Sequence, residues 1–225
     1  MSNAKVWDDR EYVARLRLEW GEHNFRSGRH WEYLLSIAQL IRYNNVLDAG
    51  CGMGHLNQII KDHRIENSLP PVDYRGFDGS SEMIRVAHEF YPDERDRFTV
   101  ADFFDMSQIG TYDTVTCTDV LIHQREIITP MRNLWAHANR ELIFTLKLSE
   151  KPGGEFRELD HELVIWRTER LPLRWEDKTY IYSIIGSLGD VGSVEEHFFD
   201  MRTSMFRVIR GIPKYGGFRT GWLRQ

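Results

Sequence analysis

The sequence predicts an α/β fold: a doubly wound, mostly parallel sheet with a C-terminal antiparallel strand pair and a helical N-terminal flank. Two observations carry this. From residue 45 to 147, short apolar runs alternate with stretches of helical periodicity, the pattern of a parallel sheet covered on both faces. A loop with three alternating glycines, Gly50-Cys51-Gly52-Met53-Gly54, directly follows the first apolar run, where ligand-binding loops of such sheets lie.

The elements follow in order. Before the sheet, "EYVARLRLEWGEHNF" and "WEYLLSIAQLI" carry helical periodicity and form the flank, residues 1–44. The core, residues 45–148, opens with the strand "NVLDAG" and the helix "HLNQIIKDHR", whose Leu56, Ile59 and Ile60 share a side. "VDYRGFDGS" is the second strand. "SEMIRVAHEFY" is a helix that Ser80 or Ser81 caps, with Met83, Val86, Ala87 and Phe90 on one face. "RFTVADFF" and the Thr/Val-rich "YDTVTCTDVL" are the third and fourth strands. "IITPMRNLWAHA" is a helix and "ELIFTLKL" the fifth strand. In residues 149–225, "ELVIWRTE" reads as an extra strand and "KTYIYSIIGSL" as a helix. "EEHFFDMRTSMFRVIRG" reads as a strand pair turning near Arg202-Thr203.

Bulk properties narrow the function. A chain of 225 residues with 41% hydrophobic content forms one domain with appendages. No apolar run approaches the roughly 18 residues of a membrane span, and no secretory signal is visible. Met1–Ala4 reads partly as a cloning scar. Only Cys51 and Cys117 occur, neither in a zinc nor a disulfide pattern, which suits a reducing cytoplasm. A net charge of -5 disfavours a general polyanion binder.

The glycine loop sets the ligand chemistry. Glycines let the backbone bend sharply and leave space against the main chain, and the following helix offers free N–H groups. A dinucleotide site prefers G-x-G-x-x-G. Here the spacing is G-x-G-x-G, with Asp48 two residues ahead. That acid would repel a pyrophosphate and suits a ligand with an ammonium or sulfonium charge and a sugar.

"VLDAGCGMG" resembles motif I of the class I S-adenosylmethionine-dependent methyltransferases, which have a Rossmann-like fold. "YRGFDGSSEMI", "VADFFD", "YDTVTCTDVLIHQ" and "ELIFTLK" resemble the later motifs of that family, in order. The resemblance implies S-adenosylmethionine as cofactor and a loop built on Asp48, Gly50, Cys51, Gly52 and Gly54. It implies that Asp78, with Gly79 and Met83 beyond it, grips the ribose hydroxyls. It places Asp102 at the adenine amino group, Phe103 beside the ring and Thr118 along the methionine part. The residues allow blander roles as well: Asp78 as a helix cap, Asp102 as a turn residue, and the side chains of Cys51, Met53 and Cys117 as packing.

The sulfonium makes the methyl group electrophilic, and a nucleophile attacks it in line. His123, just past the fourth strand, is the candidate general base; it would otherwise line the pocket without transferring protons. His161, His197 and Tyr180 stand behind it. Asp119 would supply one metal ligand, but Lys147 stands where a second acid would be wanted, so no metal is expected.

The flanks must shape the acceptor site. Of seven tryptophans only Trp135 lies in the core; the others would form an aromatic lid or pack helices on the sheet. "YGGFRTGW" reads as a covering loop or a frayed end. After Asp200 come six basic residues and no acid: Arg202, Arg207, Arg210, Lys214, Arg219 and Arg224. They read as a solvated face, Arg207 on the solvent side of a strand, or as a bias toward anionic substrates. The expectation is methyl transfer to an O or N atom of a small molecule, with neither nucleic acid nor membrane as partner. A nucleic-acid methyltransferase and a cofactor-binding homologue without catalysis are the alternatives.

Overall fold

The computed structural model describes residues 7–20, 29–152, 154–160, 170–199 and 202–211. Helices α1 (Arg10–Trp20) and α2 (Arg29–Leu40) precede strand β1 (Asn45–Ala49). Helix α3 (His55–Glu66), β2 (Asp73–Asp78), α4 (Ser81–Phe90) and β3 (Phe98–Val100) follow. Then come β4 (Tyr112–Cys117), a short 3-10 helix at Leu121–His123 (another, Pro92–Arg97, precedes β3), α5 (Ile128–His137) and β5 (Ala138–Ser149). The remainder is β6 (Glu155–Asp160), β7 (Arg170–Asp177), α6 (Lys178–Ser187), β8 (Val191–Phe198) and β9 (Thr203–Arg210).

Strand order is β3-β2-β1-β4-β5, all parallel. β9 runs antiparallel to β5, and β8 antiparallel to β9. The switch point thus lies between β1 and β4, where the chain departs first to one side and then to the other.

Alternation along the strands builds two cores. Leu47, Phe77, Val115, Leu142, Phe144, Leu146 and Phe206 face α5 and α6, which contribute Met131, Leu134, Trp135, Ile181 and Ile184. Val46, Tyr74, Ile143 and Met205 face the other way, toward α2, α3 and α4. Helix α2 meets them because Tyr33, Leu34, Ile37 and Ala38 recur on one face. Phe144 and Phe206 stack at 5.2 Å across β5 and β9; full burial of each is worth about 1.5–3 kcal/mol.

The expected doubly wound sheet, its C-terminal antiparallel pair and its helical flank are all present. Three findings differ from the reading of the C-terminal third. First, β6 and β7 form an antiparallel pair that periodicity did not reveal; the chain between them, with "ELVIWRTE", lies outside the described residues, as do residues 212–225. β7 joins the end of β5 in parallel through Leu148 and Ser149. Second, Arg207 is not on a solvent face. It is 1% exposed, on the same face of the sheet as Ile143, and its Nε donates to Glu141 Oε2 at 2.7 Å. Glu141 is itself fully buried. Third, Arg210 lies 4.2 Å over the Trp135 ring and donates to the Trp135 and Ala138 carbonyls. Among the described residues no helix is long and apolar enough to cross a membrane.

Candidate active site at the carboxyl ends of the parallel strands

A cavity of about 470 Å³ opens beyond the carboxyl ends of the five parallel strands. Each strand delivers lining residues: Asp102 follows β3, Asp78 ends β2, and Asp48 with the glycine loop ends β1. Thr118 and Asp119 follow β4, and Lys147 lies near the end of β5.

The loop after β1 is shaped by contact. Gly50 has φ +80, and a Cβ there would lie 2.2 Å from Val120 Cγ2, so the loops after β1 and β4 approach as only glycine permits. Gly52 (φ +53) is different: a Cβ would meet nothing within 4 Å, so its main chain faces open space. Gly54 does not line the cavity; a Cβ there would press on Phe98 at 2.7 Å and on Tyr91. Its left-handed backbone (φ +83) thus packs against those two rings. The side chains of Cys51 and Met53 are buried and both line the cavity.

Asp78 braces the loop. Its Oδ2 accepts from Gly52 N–H at 2.9 Å and its Oδ1 from Ser80 N–H at 2.8 Å. The cap of α4 is Ser80, whose Oγ accepts from Met83 N–H at 3.1 Å, so Asp78 is not the cap. Burial raises the Asp78 pKa, and the Ser80 and Gly52 N–H groups oppose that rise. Asp48 is 2% exposed and accepts from Tyr74 OH at 2.7 Å and Thr116 Oγ1 at 2.8 Å. Burial pushes its pKa to about 6 despite both hydroxyls. Asp102 Oδ1 accepts from Phe104 N–H at 3.0 Å, a turn contact, while Asp102, the buried Phe103, Gly79 and Met83 all line the cavity.

The N-terminal flank closes the site. Asp9 caps α1 through Glu11 N–H and Tyr12 N–H. Ser80 Oγ donates to Trp7 O at 2.6 Å, and Asp8 Oδ1 accepts from Glu82 N–H at 3.3 Å. The segment before α1 is thereby strapped to the start of α4, and Trp7 and Tyr12 join the lining. Trp7 also packs against the small core formed by Tyr12, Val13, Leu16, Met53, Met83 and Val86. The Trp7 ring lies 5.4 Å from that of His123, which lines the cavity from the turn after β4. Trp31 packs on the α2 core instead. Trp166, Trp222, Tyr215 and His161 lie outside the described residues. His197 and Tyr180 are not in this cavity; Tyr180 is exposed on α6.

The flank adds residues that sequence reasoning passed over. Tyr33 and His30 of α2 line the cavity. Tyr33 OH donates to Thr145 Oγ1 at 2.7 Å, and Thr145 Oγ1 also accepts from Asp119 N–H at 2.9 Å. Burial, and then the nearby Asp119 carboxylate, hold the Tyr33 pKa well above its ordinary value. Asp119 has φ +56, a left-handed conformation uncommon outside glycine. The periodicity of α2 marked Tyr33 only as core; no local signal tied it to Thr145, 112 positions away.

Residues 47–141 match the family model of a methyltransferase domain. These residues form a methyltransferase domain. Solved structures repeat its fold. A magnesium protoporphyrin IX methyltransferase from Synechocystis PCC 6803, with bound SAH, aligns with TM-score 0.64 and 18% identity, over 92% of this chain and 98% of that one. The glycopeptide N-methyltransferase MtfA with S-adenosylhomocysteine aligns with TM-score 0.60 and 14% identity, over 87% and 97%. Human N-acetylserotonin methyltransferase with SAM aligns with TM-score 0.60 and 13% identity, over 90% and 56%. No curated protein matches the chain in sequence.

Those solved structures hold SAM or SAH, and the lining of this cavity fits such a ligand. Asp48, Asp78, Asp102 and Asp119 line it against one lysine and no arginine among the described residues. Such a donor set suits a sulfonium and an ammonium group and opposes a pyrophosphate. The open space over Gly52 leaves room against its main chain. Among the described residues no group of three or more His, Cys, Asp or Glu is arranged to hold a metal.

Proposed function

We propose that this methyltransferase transfers a methyl group to an O or N atom of a small-molecule acceptor. The supporting observation is the single cavity that collects Asp102, Asp78, the Gly52 backbone and His123 beneath the Trp7 strap. When bound, S-adenosylmethionine supplies a methyl group made electrophilic by its sulfonium. Asp78 would accept the ribose hydroxyls through the lone pairs that the Gly52 and Ser80 N–H groups leave, and Asp102 with Phe103 would hold the adenine. Gly50, Cys51, Gly52, Gly79, Met83 and Thr118 would form the remaining walls, with Asp48 beneath them.

The residues after β4 and β5 would then receive the acceptor. His123 takes the proton from the attacking O–H or N–H group at a ring nitrogen, and Trp7 orients its imidazole and excludes water. Positioning carries much of the rate, since effective molarities for well-oriented groups reach roughly 10^5 M or more.

Nucleic acid is a poorer acceptor. Two of the six cations after Asp200, Arg207 and Arg210, are spent on Glu141 and on Trp135, which weakens the basic footprint such a substrate needs.

The test has two stages. Titration calorimetry should detect S-adenosylhomocysteine binding, and a panel of small acceptors scored by S-adenosylhomocysteine release should then find turnover. In His123→Ala, turnover should fall by roughly 10^2-fold or more while cofactor affinity holds. Turnover near that of the unaltered protein would remove His123 from the chemistry.

A further inference from the structure

We infer that the acceptor carries an anionic group, a carboxylate or a phosphate, held by Lys147 at the β5 end of the cavity. The inference rests on the methyl-transfer reading, which assigns the β1–β3 side to the cofactor and the β4–β5 side to the acceptor.

The strand register determines where Lys147 points. Leu142, Phe144 and Leu146 enter the core beneath α5 and α6. The alternate residues Ile143, Thr145 and Lys147 therefore share the opposite face, on which Tyr33 meets Thr145. Lys147 extends that row past the last buried position, is half-buried and lines the cavity.

Its charge is not used within the fold. Lys178, at the start of α6, pairs with Glu196, and Glu141, on Lys147's own strand, is taken by Arg207. No carboxylate among the described residues lies within ion-pairing distance of Lys147 Nζ. Asp119, at the end of the adjacent strand, has its carboxylate beside Tyr33 OH rather than on this ammonium. His30, a lining residue from α2, has its pKa lowered by burial and so adds no positive charge near neutral pH.

A half-buried ammonium without a protein partner is available to an anionic group on a ligand. The other lining charges are carboxylates, which suit the cationic cofactor. Lys147 is thus the one fixed positive charge among the described lining residues. A carboxylate or phosphate on the acceptor would satisfy it through a charge-assisted hydrogen bond. Neutral or cationic acceptors would leave it unpaired and meet Asp119 instead.

The experiment separates this inference from the reading on which it rests. S-adenosylhomocysteine is first titrated by calorimetry into the unaltered protein, Lys147→Met and Lys147→Arg. Failure to bind would overturn the methyltransferase site itself; equal affinities in all three would leave it standing and show that each variant is folded. The proteins, saturated with S-adenosylhomocysteine, are then examined by ligand-observed NMR with benzoate and phenyl phosphate, and with neutral benzamide as the control. The expected result is that at least one anion binds more tightly than benzamide. Lys147→Met should weaken that anion by roughly tenfold or more, as the loss of a hydrogen bond to a charged group implies, and Lys147→Arg should retain it. Anions that bind no better than benzamide, or as well to Lys147→Met as to the unaltered protein, would overturn the inference.

Discussion

Replacing Arg207 by Met should destabilise the protein by about 3–5 kcal/mol, the cost of breaking a buried ion pair by removing one partner. The structure explains the size. Arg207 is 1% exposed and Glu141 fully buried, so neither charge has access to water. Glu141 Oε2 accepts from both Arg207 Nε and Nη2, and Oε1 accepts from Thr114 Oγ1 at 2.7 Å. Burial would lower the Arg207 pKa, but Glu141 and Glu195 outweigh it and hold the guanidinium charged. Methionine keeps most of the apolar stem and leaves the Glu141 carboxylate with Thr114 and the Arg42 backbone N–H, 3.4 Å away. Against a total stability of about 5–15 kcal/mol, the loss is about a fifth or more. The check is urea unfolding with linear extrapolation, run also on Arg207→Met combined with Glu141→Gln. Because the second change removes the stranded charge, the double variant should recover more than half of the loss. The loss should be nearly the same at low and high salt, since buried pairs are screened little. A single variant within about 1 kcal/mol of the parent would refute the account, as would a double variant no better than the single one.

The other predictions concern the site. Asp48 has a folded pKa of about 6 against an ordinary 3.8, so its protonated form favours the fold: that stability is present below about pH 3.8 and lost as pH rises through about 6. The shift of about 2 units corresponds to about 3 kcal/mol, so the stability difference between the unaltered protein and Asp48→Asn should change by that order from about pH 4 to about pH 7; parallel curves would count against it. Asp78→Ala should weaken S-adenosylhomocysteine binding by about 1–3 kcal/mol with the sheet intact, and an unchanged affinity would restrict Asp78 to bracing Gly52 and Ser80. Trp7→Ala should speed S-adenosylhomocysteine release, on the order of tenfold, with little change in association; equal stopped-flow dissociation rates would show that the strap is no lid.

The sequence by itself determined the doubly wound sheet and singled out acids and glycines that line the cavity at its strand ends. Both rest on short-range patterns. Strand–helix alternation, the glycines after β1 and the acids after β1, β2 and β3 are each set within a few residues, because a turn or a strand end imposes its demands locally. Capping chemistry narrowed the start of α4 to Ser80 or Ser81, and Ser80 is the cap.

Only the tertiary structure decided the rest. Gly54 shares the glycine spacing of its loop, but the ring of Phe98, 44 positions on in the chain, claims the space beside it. Arg207 sits in an apparently basic run, yet Glu141, 66 positions earlier, buries it. Tyr33 looks like helix packing, and it and Trp7 reach the cavity only because α2 and the strap close over the strand ends. A local pattern records which way a side chain leaves the backbone; which partner waits there is settled when distant segments meet, and charges and glycines take their roles from that partner.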